Sequence, residues 1–338
     1  MNIIDKKTPK MKAIIWTKYG GPEGLQLQSI DKPIPKENEI LIKIHATTVS
    51  AGDCEMRSLK LAMWMRPLIR LIIGVRKPKR IKILGQELAG EIEAVGKDVI
   101  QFKEGDLVMA TNGFNFGGYA EYICIPDNRE NAVIVKKPAN MTFEEAAAIP
   151  LGGFNALHFI KQGKIQEGSK VLIIGAGGSI GTVGIQLAKY YGGEVTAIDS
   201  TEKLAMLKSI GADHVIDYTH ENFTNLGKTY DVIFDIVGKN SFSKCIKSLA
   251  ETGIYLFANP TLFRTIRAKR LSKKTRKRAI GGTVDYTSKD LVYLKDLVEA
   301  GKLKTVIDRT YALEDIIEAH KYVESGQKKG NVVIKIRK

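Results

Sequence analysis

Residues 171–181 read Val-Leu-Ile-Ile-Gly-Ala-Gly-Gly-Ser-Ile-Gly. Four consecutive apolar residues specify a strand buried on both faces, and the glycine-rich turn after them opens a helix over about 180–191. Glycines let the backbone turn sharply and approach a pyrophosphate without Cβ clashes. The helix N-terminus then offers N–H groups and the positive end of its dipole. A glycine pattern alone also fits an ordinary tight turn. Here strand, loop, helix and second strand follow in order, which points to a dinucleotide held by Gly175, Gly178, Ser179, Ile180 and Gly181.

The second strand, 194–198, ends at Asp199, 18 residues after Gly181. A carboxylate there can accept from both hydroxyls of an adenosine ribose and would repel a 2′-phosphate, so NAD(H) is preferred. NADP(H) is the alternative, because Ser200, Thr201 and Lys203 can hold a phosphate if Asp199 turns away. A third reading makes Asp199 a solvated helix cap.

Working outward, buried strands alternate with helices from residue 171 onward. Strands at 171–174, 194–198, 215–216, 231–237 and 254–257 are separated by helices at about 201–210 and 240–250. That grammar specifies a doubly wound parallel Rossmann sheet in an α/β fold. The first 140 residues differ: short apolar runs at 13–16, 25–28, 39–46, 89–95, 106–110, 119–125 and 133–135 are separated by Gly, Pro and Asp turns, as in a β barrel. Thr142, with Glu144 and Glu145 behind it, opens a helix through Ala148. Helices at 289–300 and 313–325, an extended stretch at 306–308 and a strand at 332–336 complete the chain. The expected division is a catalytic β domain at 1–145, a dinucleotide domain at 146–285 and a return to the first domain at 286–338.

Composition sets the class. The 338 residues are 44% hydrophobic and 26% charged, ordinary for a globular protein. Cys54, Cys124 and Cys245 are few, odd in number and far apart, which argues against a disulfide framework and fits a reducing compartment. The N-terminal residues show no apolar signal core, and the longest uncharged stretch, 171–188, carries five glycines, so a soluble cytoplasmic protein is expected.

The net charge of +15 is unusual, and it is concentrated. Residues 60–82 hold eight Lys or Arg and no acid; residues 264–278 hold nine and no acid. The other 300 residues sum to −2. In the first segment the charges interleave with Trp64, Met65, Leu68, Ile69, Leu71, Ile72 and Ile73, the pattern of an amphipathic membrane-surface element.

Several segments in order resemble the medium-chain dehydrogenase/reductase superfamily, in its zinc-free branch of quinone oxidoreductases and alcohol-dehydrogenase-like proteins. They include Gly85-Gln86-Glu87-Leu88-Ala89-Gly90, Glu104-Gly105-Asp106-Leu107-Val108, Gly118-Tyr119-Ala120-Glu121-Tyr122, Glu145-Ala146-Ala147-Ala148-Ile149-Pro150, the glycine loop, Gly211-Ala212-Asp213, Asp231-Val232-Ile233-Phe234-Asp235 and Gly330-Asn331-Val332-Val333. The resemblance spans residues 11 to 336. It implies a chaperonin-10-like β domain wrapped around the nucleotide domain, and a homodimer in which the region after residue 278 pairs sheet edges.

The zinc-dependent members carry Cys, His and Cys ligands where this chain has Ser50, Gln86 and Leu151. Leucine cannot coordinate zinc, and hydroxyl and amide are poor substitutes for thiolate and imidazole. The structural zinc lobe is absent too, and His45 and Cys54 lie outside the ligand register, so no metal is expected. The resemblance then implies hydride transfer between NAD(P)H and a small hydrophobic quinone, enone or carbonyl, or from an alcohol. Ser50, Asp53 and Asn155 would line the substrate cleft; Tyr218, Val237, Gly238 and Ala258 would line the nucleotide. Ser50 and Asn155 can donate to a carbonyl oxygen, and Asp53 can orient them or relay a proton. Ser50 and Asp53 also fit a helix cap beginning near Asp53.

By its place in the family, segment 60–82 lies near the substrate cleft, where its apolar side can form a pocket wall or lid; membrane contact and plain packing are the other readings. Segment 264–278 reads as a solvated basic helix or loop, or as a site for RNA or another anion. Few aromatics accompany it, so nucleic acid is not expected as a partner. A second function class stays open: a dinucleotide-binding protein that docks to a membrane surface or nucleic acid.

Overall fold

The computed structural model describes residues 9–61, 65–127 and 132–337. Trp64 and most of the N-terminal stretch read above for a signal core lie outside them. The chain divides into two compact units, residues 1–150 with 307–338, and residues 151–306.

In the first unit, β1 (Lys10–Trp16) and β2 (Leu25–Asp31) form an antiparallel ribbon. β3 (Glu39–Thr48) is followed by α1 (Ala51–Ser58), α2 (Met65–Ile73), β4 (Glu87–Val95), β5 (Leu107–Thr111), β6 (Tyr122–Pro126), β7 (Val133–Lys136) and α3 (Phe143–Ala147). β3 is the organising strand. One edge pairs with β4 throughout, and the other pairs with β6 over residues 39–43 and then with a C-terminal strand over 46–48. Register shifts at 41/42 and 44/46 bend β3, so one long strand serves two antiparallel arrays. Trp16, Leu25, Phe116, Tyr119 and Ile316 belong to the core of this unit. Thr142 caps α3 as expected, with the Glu145 side chain accepting in return.

The second unit runs α4 (Pro150–Gly163), β8 (Lys170–Ile174), α5 (Ser179–Tyr190), β9 (Glu194–Asp199), α6 (Leu204–Ser209), β10 (His214–Asp217), β11 (Tyr230–Asp235), α7 (Phe242–Lys247), β12 (Leu249–Phe257), α8 (Leu262–Lys274), β13 (Arg278–Gly281) and α9 (Ser288–Glu299). Its six strands are all parallel, in the order β10-β9-β8-β11-β12-β13. This is the doubly wound order, and it reverses direction between β8 and β11. Val171, Leu172, Ile173, Ile233 and Phe234 are buried, as strands covered on both faces must be. The stretch 171–188 thus becomes β8, a loop and most of α5, and among the described residues no helix is long and apolar enough to cross a membrane.

The chain returns to the first unit at Ile307, not at 286, through β14 (Ile307–Ala312), α10 (Ile316–Glu324) and β15 (Asn331–Lys335). The reason is the packing of α9. Its Leu294 fills the space above Gly153 of α4, and its Asp290 accepts from Lys161 at 2.8 Å. β13 is the sixth strand of its own sheet, paired with β12.

Candidate active site

Strand register brings the sequence-predicted cofactor residues to one edge. At the carboxyl ends of adjacent strands, Asp217 of β10 pairs with Asp199 of β9, Ile198 of β9 with Ile174 of β8, Ile174 with Asp235 of β11, and Asp235 with Phe257 of β12. The segments that leave these positions carry Tyr218, Ser200 and Lys203, the glycine loop, Val237 and Gly238, and Ala258. Open α/β sheets bind their ligands at such an edge, beside the point where strand order reverses.

The loop is glycine for steric reasons. Gly175 has φ +80°, and a Cβ there would strike Val237; a Cβ at Gly181 would strike the backbone of Ala176. Gly178 caps α5 and brings no side chain to the first turn, the arrangement that suits an anion at a helix N-terminus.

Asp199 is not a solvated cap. It is buried; Gly177 N donates to Oδ2 at 2.7 Å, Ser200 N donates to Oδ1 at 2.9 Å, and Lys203 Nζ lies 3.1 Å from Oδ1. An isolated carboxylate would repel a 2′-phosphate strongly, but the adjoining ammonium offsets that charge. Tyr218 is exposed, and its N–H donates to the Asp199 carbonyl at 3.2 Å.

A second buried carboxylate, Asp235, shapes the neighbouring loop. Gly238 N donates to its Oδ1 at 2.8 Å, and Tyr255 Oη donates to its Oδ2 at 2.8 Å. Arg264 Nη1 lies 3.5 Å from Oδ2, while Nη2 donates to the carbonyls of Gly238 at 2.8 Å and Asn240 at 3.0 Å. Arg264 therefore does not belong to a solvated basic surface. The sequence hid it inside a run of nine cations; its register three residues after Thr261, which caps α8, was the available signal. Lys277 is likewise turned inward, donating to the carbonyls of Ile246 and Leu249. The other seven cations of 264–278 are exposed.

In the first unit, Ser50 and Asp53 form a capping box on α1, which begins at Ala51. Ser50 N and Ser50 Oγ donate to Asp53 Oδ2 at 2.9 and 2.6 Å, Asp53 N donates to Ser50 Oγ at 3.1 Å, and Gly85 N donates to Asp53 Oδ1 at 3.1 Å. The hydroxyl proton of Ser50 is thus directed at Asp53. Full burial raises the Asp53 carboxyl to about 6, against the lowering effect of these hydrogen bonds. Gln86 Oε1 lies 3.4 Å from Ser50 Oγ. Asn155 sits in the second turn of α4 in the other unit, where its Nδ2 donates to the Leu151 carbonyl at 2.9 Å. One amide N–H and the amide oxygen remain for chemistry.

Residues 36–139 match the alcohol dehydrogenase GroES-like domain, and residues 210–334 match the zinc-binding dehydrogenase family. The tomato (Solanum lycopersicum) 2-methylene-furan-3-one reductase is 33% identical over 96% of this chain and 79% of its own length. The human quinone oxidoreductase is 30% identical over 94% of both. The solved quinone oxidoreductase of Coxiella burnetii is 31% identical, with a TM-score of 0.85 over 97% of this chain and all of that one.

The chain belongs to the medium-chain dehydrogenase/reductase superfamily. It falls in the quinone-oxidoreductase-like branch, as an oxidoreductase built around a nicotinamide dinucleotide. Although the superfamily includes zinc enzymes, the donors at this chain's ligand positions do not fit zinc. Ser50 and Gln86 present a hydroxyl and an amide oxygen, Leu151 is apolar and buried, and among the described residues no three His, Cys, Asp or Glu side chains gather as a metal site. His45 instead stacks on Phe143, ring centroids 4.1 Å apart, and Cys54 Sγ lies 3.3 Å from His320 Nδ1.

Proposed function

We propose that this protein reduces a small hydrophobic enone, quinone or other carbonyl compound with NAD(P)H, without a metal. The observation that carries the reading is the alignment of Asp199, the glycine loop, Val237–Gly238 and Ala258 at the carboxyl ends of adjacent parallel strands. Support for the substrate class comes from relatives over nearly the whole chain, a 2-methylene-furan-3-one reductase, an NADPH-dependent alkenal/one oxidoreductase and quinone oxidoreductases.

The dinucleotide, when bound, supplies the hydride. The residues of this chain position and protonate. Gly175, Gly178, Ser179, Ile180 and Gly181 receive the pyrophosphate; Val237, Gly238, Ala258 and Tyr218 flank the rest of the nucleotide. Asp199 turns its carboxylate to the adenosine ribose, which favours NAD(H). NADP(H) is the second reading, favoured by Lys203, whose ammonium could turn from Asp199 to a phosphate. Ser50 hydrogen-bonds the substrate oxygen, and Asn155 is read as a donor beside the nicotinamide. Asp53, protonated below about pH 6, returns a proton to Ser50 when the Ser50 hydroxyl gives its own to the reduced oxygen. We further read the protein as a cytoplasmic homodimer, with peripheral contact at a membrane surface.

Fluorescence titration with NADH and NADPH tests the cofactor, and a panel of quinones, enones and aldehydes tests the substrate. Saturable binding with turnover of at least one acceptor class is expected. Failure to bind either dinucleotide sinks the reading, and binding without turnover across the panel removes the reductase.

A further inference from the structure

Helix α2 separates two chemistries around its axis. At 100° per residue, Met65, Ile69 and Ile73 share one face. Ile73 is buried, and Ile69 packs against the core that contains Trp16 and Ile316. Leu68, Ile72 and Leu71 follow one another around one side and are 51%, 47% and 71% exposed; Val75, just past the helix, is 65% exposed. Arg66 and Arg70 occupy the opposite side. Arg66 Nε donates to the Leu61 carbonyl at 3.1 Å, and the Arg70 guanidinium lies 5.6 Å from the centre of the Tyr19 ring. The chain then runs through Arg76, Lys77, Lys79, Arg80 and Lys82, all exposed. None of these seven cations forms an ion pair among the described residues; the acid that pairs in this region, Glu324, is taken by Arg57 and Lys60.

We propose that α2 and residues 75–82 form a docking surface for an anionic lipid bilayer. Both chemistries are then used. The leucine side enters the boundary between headgroups and acyl chains, and the cations of residues 76–82 meet lipid phosphates and carboxylates. Other occupants use only half of the surface. Single-stranded nucleic acid would engage the cations but leave the aliphatic side in water, and residues 65–82 offer no aromatic ring for bases to stack on. A second copy across a two-fold axis would set the five cations of residues 76–82 against the same five. A lid over a substrate pocket would use the aliphatic side and leave the cations of residues 76–82 without a partner. The docking face uses none of Ser50, Asp53, Asn155 or the glycine loop, so lipid binding and reduction are separable.

The test is cosedimentation of the full-length protein with vesicles of phosphatidylcholine alone or with about 30% phosphatidylserine. Partition into the anionic vesicles should exceed that into neutral ones by at least about tenfold, and fall about tenfold between roughly 50 and 300 mM salt. Leu68→Asn with Leu71→Asn should lower it by about tenfold. Arg76→Gln, Lys77→Gln, Lys79→Gln and Arg80→Gln together should lower it at least about thirtyfold. All six side chains are exposed, so unfolding midpoints matching the parent separate lost docking from lost folding. Equal partition into both vesicle types, or no change in either variant, overturns the proposal. So does binding of an RNA of about 30 nucleotides that the leucine variant retains while neither protein binds vesicles.

Discussion

Arg264 Nη2 donates to the carbonyl of Gly238 at 2.8 Å, tying the first turn of α8 to the loop that follows β11. The same guanidinium faces the fully buried Asp235. Arg264→Met leaves that carboxylate without its cation and the loop without its clamp. Loss of about 3 kcal/mol of stability is expected, with NAD(P)H binding weakened about tenfold or more. Arg264→Lys should recover only part of either, because an ammonium cannot span two carbonyls and a carboxylate. Urea unfolding and dinucleotide titration check this; a parent-like affinity in Arg264→Met would remove Arg264 from the positioning of the loop.

Cofactor choice is expected to depend on Asp199 and Lys203 as a pair. Asp199→Asn keeps an acceptor for a backbone N–H but drops the charge, and should move the NADH:NADPH preference toward NADPH by about tenfold. Lys203→Ala should move it toward NADH by a similar factor, about tenfold, since it bares the carboxylate and removes the cation. Dissociation constants for both dinucleotides in each variant decide the matter. Shifts in the same direction would mean that the two side chains act only through the shape of the loop.

Turnover should respond to pH through Asp53. Its carboxyl titrates at about 6, so in the proposed relay the proton for Ser50 is present below that pH and lost above it. The rate of substrate reduction at saturating cofactor is expected to fall as pH rises through about 6, and Asp53→Asn should flatten that limb. Ser50→Ala should slow turnover about a hundredfold and cost about 1 kcal/mol of stability through the lost cap. A pH profile for Asp53→Asn identical to the parent's would confine Asp53 to capping α1.

Stability should respond to pH through His320. It is fully buried; Arg57 Nε donates to its Nδ1 at 3.3 Å, and burial, with the Arg57 charge second, lowers its pKa to about 3. The unfolded chain takes up a proton near pH 6.5 that the folded chain refuses. The contribution of the neutral ring is complete above about 6.5 and is lost progressively as pH falls toward 3, about 2 kcal/mol by pH 5. Urea unfolding of the parent and of His320→Gln at the two pH values measures it: the difference between them should shrink by that amount at the lower pH, and an unchanged difference would contradict the assignment.

Much of this molecule is legible locally. Alternation and turn residues mark the strands of residues 10–136, and an unbroken Val-Leu-Ile-Ile run before glycines marks β8 and its phosphate loop. Asp235 stood in a recognisable segment, yet its partner did not, because Arg264 lies 29 positions later inside a run of like residues. Asp53 was legible as a cap. Its burial, which moves its pKa, depends on Gly85 and the surrounding core and leaves no mark at its own position. The domain return was expected too early because the contact of α9 with α4 is set by side-chain shape, not by periodicity.

Local sequence was enough to specify the parallel sheet, the glycine loop and the concentration of charge in two segments. Each follows from propensity, hydrophobic period or sterics acting within a few residues. Long-range contacts settled that Asp199 is paired, that Arg264 and Lys277 are internal while their neighbours face water, and that α2 leaves an aliphatic side exposed. Pairing and burial arise where distant segments meet, and a charge run has the same sequence whether its members face a carboxylate or solvent.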